Sequence, residues 1–217
     1  MQKEFWHDRW ENRQIGFHQD ESNPYLDKYW PSADQTKIQR VFVPLCGKSL
    51  DLIWLSDNGF EVIGVELSQI AVEEFFRDND LQYKVRMVDK LKFYETENIS
   101  IICGDFFDLT KDVLGMVSYV FDRASQIAMP EHMRDAYCSH LSAITENARL
   151  FVITMEYDQD AMQGPPFSVS EDEINKHYAS GYEIKRLETF NLLEDAPHFK
   201  EKGLNKLLEK VYMLSPL

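Results

Sequence analysis

The chain has 217 residues, a length that suits one large α/β domain or two small ones. Hydrophobic residues make up 44% of it and charged residues 28%, as in ordinary globular proteins. The formal net charge of -14 opposes binding to nucleic acid and to anionic membranes, so we expect neither partner. Three widely separated cysteines predict reduced thiols and no metal site. The polar first residues predict no signal peptide, and we expect a monomer in the cytoplasm.

Residues 1–37 are rich in aromatic side chains and irregular in pattern. Phe5, Trp6 and Trp10 suit one face of a short helix. Residues 26–30 predict a second helix, which Pro31 ends. This stretch precedes the first predicted strand and has no evident place in a sheet. We therefore expect it to form a helical and loop cover over the active site.

From residue 40 onward, short β-branched runs alternate with helical patterns. This alternation is typical of an α/β domain whose parallel strands have helices on both faces. Residues 83–98 are charged and less regular, and leave room for a small hairpin insertion. We predict one domain over residues 1–217, with a seven-stranded, mostly parallel sheet that closes on an antiparallel pair. The predicted strands cover 40–45, 60–65, 99–103, 117–121, 150–155, 182–190 and 207–214.

The ends of the first two predicted strands carry the first candidate binding residues, because ligands of open α/β sheets bind beyond the carboxyl ends of the strands. Gly47, in the first strand-to-helix turn, lets the backbone approach a ligand closely or simply makes a tight turn. Glu66 follows about 20 residues later and suits the ribose hydroxyls of NAD or of S-adenosylmethionine. The alternative is an exposed carboxylate. The turn lacks the glycine spacing of a dinucleotide fingerprint or a P-loop.

The next two strand ends carry an acid and an arginine. Asp105 is suited to accept from an adenine amino group, with Phe106 against the ring, or to cap the helix that follows. Arg123 offers a planar fork of donors for a carboxylate or an anionic substrate, or for an internal salt bridge with a neighbouring acid. His7 and His18 are candidates for catalysis. They lie among aromatic residues, however, where a histidine more often packs or forms a hydrogen bond.

The combined motifs resemble the thiopurine S-methyltransferase family of bacterial type, in family order and along nearly the whole chain. The segment from Pro44 to Ser49, which replaces the glycine-rich turn of most methyltransferases, is the most distinctive part. The matching segments are FHQ (17–19), VPLCGKSLD (43–51), VELS (65–68), GDFFDL (104–109), DRA (122–124) and GPPF (164–167).

The resemblance implies a Rossmann-like class I methyltransferase that uses S-adenosylmethionine and releases S-adenosylhomocysteine. By position in the motifs, Trp10 resembles the tryptophan that covers the cofactor, and Leu45 the residue that contacts its methionine part through the backbone. Glu66 resembles the ribose ligand, and Arg123 the arginine beside cofactor and acceptor. The family's late arginine has no match at 197–203, where Lys200 and Lys202 are the possible replacements.

The implied reaction moves a methyl group to the sulfur of an aromatic or heterocyclic thiol, so the expected partner is a small-molecule thiol. Alignment of two sulfur atoms and exclusion of water are sufficient for such a transfer, without a metal. We expect Arg123 to position the acceptor, and Phe17 to line its pocket. The alternatives are methylation of selenium, tellurium or other soft nucleophiles, an NAD-dependent oxidoreductase, and a non-catalytic small-molecule-binding protein.

Overall fold

The computed structural model describes residues 3–34, 36, 39–146 and 148–217. The chain divides into two compact units, Met1–Val120 and Phe121–Leu217. The helices are α1 (Lys3–Glu11), α2 (Pro24–Tyr29), α3 (Asp51–Asp57), α4 (Gln69–Asp78), α5 (Lys111–Leu114), α6 (Glu131–Thr145), α7 (Glu171–Tyr178) and α8 (Pro197–Glu201). The strands are β1 (Arg40–Val43), β2 (Glu61–Glu66), β3 (Lys84–Val88), β4 (Leu91–Glu95), β5 (Ile99–Cys103), β6 (Tyr119–Arg123), β7 (Arg149–Glu156), β8 (Tyr182–Asn191) and β9 (Leu208–Pro216).

In the first unit, the strands lie in the order β3-β4-β5-β2-β1-β6. The central pairs β5-β2, β2-β1 and β1-β6 are parallel, as the alternating pattern predicts. β1 and β2 are buried along nearly their whole length, which explains their continuous apolar sequences. The carboxyl ends of these strands therefore share one edge, where Gly47, Glu66 and Asp105 follow or end their strands.

The described part of the chain forms nine strands, two more than the seven predicted. β3 and β4 form an antiparallel hairpin within 83–98, and β4 extends the sheet by pairing antiparallel with β5. Four of the five residues of β3 are exposed, so no buried face marks this strand in the sequence. The insertion was foreseen as a hairpin, but its addition to the sheet was not.

In the second unit, β9 lies between β7 and β8 and is antiparallel to both. This confirms the closing antiparallel pair at the end of the chain. Pro130 directly precedes α6, which ends at Thr145. The segment between β8 and β9 packs its apolar side chains in a small cluster with Tyr157, which directly follows β7. The buried members of that cluster are Tyr157, Leu193, Phe199, Leu204 and Leu207.

No helix in the described part of the chain is both long enough and apolar enough to cross a bilayer.

Candidate functional site

The turn after β1 is held in an unusual backbone conformation. Leu45 and Gly47 both have positive φ, +48° and +54°. This region suits glycine but is uncommon for leucine, and costs about 1–3 kcal/mol for a residue with a Cβ. The Cys46 amide donates to the carbonyl of Val65, 2.9 Å away, which ties the turn to β2. The turn therefore presents its backbone at the edge where β2 ends.

Glu66 is buried at the end of β2, with 7% of its surface exposed. Its two carboxylate oxygens accept from the backbone amides of Gly47 and Ser68, at 2.9 and 2.7 Å. Burial raises the pKa of Glu66, and the amide donors from Ser68, Gly47 and Leu67 oppose that rise. The structure thus excludes the simple alternative of an exposed strand-end carboxylate. A carboxylate has about four acceptor sites, so these amides leave capacity for at least one further donor.

Trp10 lies directly against the same turn. A Cβ placed on Gly47 would be 3.3 Å from Trp10 Cζ2, so glycine leaves just enough room for the indole. Trp10 is buried and makes an edge-to-face contact with Phe17, whose own ring is 42% exposed. The structure therefore brings together four of the predicted cofactor residues: Trp10, Leu45, Gly47 and Glu66.

Lys48 has a structural partner that sequence reasoning missed. Its ammonium lies 3.0 Å from Glu74 and from Asp78, both on α4. Glu74 is nearly fully buried and also pairs with Arg13 of the amino-terminal segment, at 3.0 Å. Its pKa is lowered because the ion pairs with Lys48, Arg13 and Arg77 outweigh its burial. Glu74 thereby fastens both the turn and the amino-terminal segment to α4.

Asp105 has two partners. One oxygen accepts from the Phe107 amide at 3.0 Å, which is the helix-cap role for the 3-10 turn at 106–108. The other oxygen lies 2.5 Å from Lys3 Nζ, and this ion pair raises the pKa of Lys3. The strand end is adjacent to Glu66, because the Gly104 amide donates to the Glu66 carbonyl at 2.9 Å. An adenine contact of Asp105 stays a prediction.

Phe106, expected against the adenine ring, is buried and stacks on Phe42 of β1 with centroids 6.4 Å apart. Its neighbour Phe107 is 39% exposed. A contact of Phe106 with adenine also stays a prediction.

β6 begins in the first unit and ends in the second with Asp122 and Arg123. Asp122 is 1% exposed, and one of its oxygens accepts from Gln126 Nε2 at 3.0 Å and from the Tyr137 hydroxyl at 3.1 Å. Burial raises the pKa of Asp122 to about 6. Ala124, directly after Arg123, has a left-handed φ of +66°. Arg123 is half-buried, and its acceptor role stays a prediction.

The GPPF segment, at 164–167, is fixed to the region after β6. The Phe167 amide donates to the carbonyl of Ile127 at 2.6 Å, and the Tyr157 hydroxyl donates to the carbonyl of Pro166 at 2.5 Å. The positive φ of Gly164 and the packing of Phe167 against it leave no room for a side chain there. Within the second unit, this motif and the Asp-Arg-Ala turn are therefore neighbours.

The proposed replacements for the missing arginine lie on or beside α8. Lys200 and Lys202 are both exposed, and Lys202 Nζ is 5.5 Å from the centre of the Phe199 ring. Phe199 belongs to the apolar cluster between β8 and β9. Neither lysine has a shown role in binding.

Among the described residues, no group of three or more histidine, cysteine or acidic side chains is arranged to hold a metal ion. Cys46, Cys103 and Cys138 are free cysteines. Burial raises the pKa of each thiol, which makes them poor nucleophiles at neutral pH.

Comparisons with known proteins agree with this arrangement. Curated thiopurine S-methyltransferases from Nitrosospira multiformis and Pseudomonas fluorescens are 45% and 46% identical over 215 residues, covering 99% of this chain and 98% and 99% of theirs.

Among solved structures, a SAM-dependent methyltransferase from Anabaena variabilis has a TM-score of 0.64 at 12% identity, covering 99% of this chain and 95% of its own. A Burkholderia thailandensis 1,6-didemethyltoxoflavin-N1-methyltransferase with bound S-adenosylhomocysteine has a TM-score of 0.62 at 12% identity, covering 98% and 87%. These likenesses show the Rossmann-like methyltransferase fold.

The sequence model for "Thiopurine S-methyltransferase (TPMT)" matches residues 1–216. With that match over practically its whole length, the chain belongs to the thiopurine S-methyltransferase family.

Proposed function

We propose that the protein is a thiopurine S-methyltransferase that transfers a methyl group from S-adenosylmethionine to the sulfur of an aromatic or heterocyclic thiol. Membership of the family supports this activity. For cofactor binding, the observation that carries the proposal is the buried Glu66 carboxylate, held by the Gly47 and Ser68 amides at the turn against which Trp10 packs. The NAD-dependent alternative does not agree with the family.

The residues at this edge fit the cofactor. Glu66 retains acceptor capacity for a ribose hydroxyl, and Gly47 has no side chain to obstruct the approach of a ligand. Leu45 offers its backbone in the same turn, and Asp105 lies at the neighbouring strand end. When bound, S-adenosylmethionine supplies a methyl group already activated by a sulfonium sulfur.

The protein's own residues then position and enclose the reactants. Trp10 and Phe17 exclude water from the edge of the sheet, and Phe17 presents an exposed aromatic surface to a flat acceptor. Arg123 orients the acceptor and favours its thiolate by charge. A thiolate is already nucleophilic, so a dedicated base is not required once it is ionised. We further propose a monomer that works in the cytoplasm, on the sequence expectation alone.

Two measurements on the purified protein test the function. Calorimetric titration should show binding of S-adenosylhomocysteine and none of NAD. Turnover with an aromatic thiol should release S-adenosylhomocysteine in equal amount to the methylated product. Binding of NAD instead, or cofactor binding without turnover of any thiol, selenol or sulfide, would contradict the proposal. Parallel assays with selenium and tellurium species test the alternative acceptors.

The role of Arg123 has its own test. Arg123→Lys keeps the charge but loses the planar fork, so it should retain part of the activity, whereas Arg123→Ala should retain much less. The loss should appear mainly in the acceptor's kcat/KM, with a smaller effect on cofactor affinity. Wild-type kinetics in Arg123→Ala would defeat the role.

A further inference from the structure

We propose that Asp122 is a positioning residue whose ionised carboxylate closes the turn that carries Arg123. The inference rests on the proposed role of Arg123 in the methyl transfer. Asp122 immediately precedes Arg123 in β6, and the chain turns sharply after it, through the left-handed Ala124. The geometry of the Asp122 contacts supports a role beyond stability.

Three donors converge on this carboxylate from both sides of the turn. Gln126 Nε2 and the Tyr137 hydroxyl donate to the same oxygen, Oδ2, at 3.0 and 3.1 Å. The Ser125 hydroxyl is a third hydrogen-bond partner. Ser125 and Gln126 are both buried and lie two and three residues after Arg123. Asp122 thus ties the strand before Arg123 to the turn after it and to α6.

Protonation of Asp122 would weaken this closure. A carboxylate can accept hydrogen bonds from all three donors at once. A carboxylic acid also carries an O–H group, which needs an acceptor among its neighbours. The hydroxyls of Ser125 and Tyr137 can rotate to accept that proton, but the Gln126 amide nitrogen cannot. A neutral carboxyl is also a weaker acceptor than a carboxylate, so we expect the hydrogen bond from Gln126 to weaken, and with it the end of the turn that holds Arg123.

The two tyrosines and the cysteine that interact with Asp122 from α6 and α7 ionise at higher pH than Asp122 does. Tyr137 and Cys138 come from α6 and Tyr178 from α7, and the pKa of each is raised, mainly by burial. The pKa of Cys138 is raised to about 12. Among these four groups, Asp122, with a pKa of about 6, changes charge just below neutral pH.

The experiment measures the acceptor's kcat/KM against pH at saturating S-adenosylmethionine. The acceptor is an aromatic thiol acidic enough to remain a thiolate throughout, so that its own ionisation adds no limb to the profile. The wild type should lose activity as the pH falls through about 6. Asp122→Asn should lower kcat/KM by about tenfold or more at pH 8, the effect of one lost positioning contact, and should abolish the acidic limb.

Tyr137→Phe is the second variant, because it keeps the carboxylate and removes one donor. Loss of that hydrogen bond destabilises the ionised form, so the acidic limb should move upward by about one pH unit. If the role of Asp122 is purely structural, the two variants should change the melting temperature but should leave the acidic limb of the pH profile where it is. Cofactor affinity, which depends on the first unit's residues, should change less than twofold in both variants.

The outcomes separate the two proposals. An unchanged limb in both Asp122→Asn and Tyr137→Phe would overturn the positioning role, even if Arg123→Ala is inactive. Wild-type acceptor kinetics in Arg123→Ala would instead overturn the role of Arg123, and the inference with it. Glu156→Gln is a matched control in the same unit, since Glu156 pairs with Lys210 and should leave the acidic limb in place.

Discussion

Glu66 is the residue on which cofactor binding should depend most. Glu66→Ala should weaken S-adenosylhomocysteine binding by about 1.5–3 kcal/mol, the range for hydrogen bonds to a charged group. Calorimetry on the purified variant measures this directly. Glu61→Gln is the control, because Glu61 begins the same strand and pairs with Arg40. Equal affinity in Glu66→Ala and wild type, with both folded, would remove Glu66 from the site.

Lys3 forms an ion pair with Asp105, the carboxylate that we expect to accept a hydrogen bond from the adenine amino group. If Asp105 serves both partners, Lys3→Met should strengthen cofactor binding by about 0.2–1 kcal/mol, since the pair is exposed and weak. The affinity should also depend less on salt concentration in the variant. Lys90→Met, which removes a similarly exposed pair with Asp108, is the matched control. Weaker cofactor binding in Lys3→Met would show that Lys3 assists the cofactor instead.

Single residues differ in how far their sequence context predicts them. Gly47 and Glu66 are predictable because each ends an apolar run, and a strand end has a fixed place in an α/β sheet. The sequence around Lys48 gives only weak support for a phosphate-binding loop. The partner of Lys48, Glu74, lies 26 residues farther along the chain. Such a long-range ion pair leaves no local pattern. The position of Trp10 came from resemblance to the family, since no spacing rule links it to Gly47.

At the scale of elements, the amino-terminal segment is fixed at several separate points. Trp10 packs on Gly47, and Arg13 pairs with Glu74. Farther along, the Asn23 amide donates to Asp51 at 2.7 Å, and Trp54 Nε1 donates to Asp27 at 2.9 Å. Between these anchors most residues are exposed, including Phe17. This intermediate stretch is therefore the part of the cover most open to a protease.

Limited proteolysis tests the cover. Chymotrypsin should cleave after Phe17 in the free protein, and cleavage should slow when S-adenosylhomocysteine is added, because we expect the ligand to bind against Trp10. Trypsin cleavage at Lys84, in the exposed strand β3, is the internal control and should not change. Equal digestion at Phe17 with and without ligand would count against a cover that closes on the cofactor.

The elements themselves were predicted unevenly. Strands with a buried face, such as β2 and β5, have apolar patterns that fix both their type and their ends. The hairpin of β3 and β4 was recognised only as an irregular charged stretch. Its pairing with β5 follows from backbone hydrogen bonds at a sheet edge, which side-chain pattern does not report.

For the molecule as a whole, Asp122 predicts a conflict between stability and activity. Its pKa of about 6 lies above the 3.8 of an unperturbed aspartate, so the native state holds the proton more tightly than the unfolded chain. The resulting contribution to stability is fully present below pH 3.8 and is lost as the pH rises through about 6. About two pH units correspond to about 3 kcal/mol of unfolding free energy.

Asp122→Asn carries no charge in either state and should escape this loss. At pH 8 it should therefore be at least as stable as the wild type, although it is expected to be less active. The measurement is the free energy of unfolding by urea for both proteins between pH 4 and 8. Their difference should change in favour of the variant as the pH rises, because other titrating groups, such as Glu66 and Glu74, are common to both and cancel. A variant that is less stable at pH 8 by as much as at pH 4 would show that the ionised carboxylate is not strained by its burial. The buried charge would then contribute to the stability of the fold. No loss of stability would remain to be attributed to the positioning of Arg123.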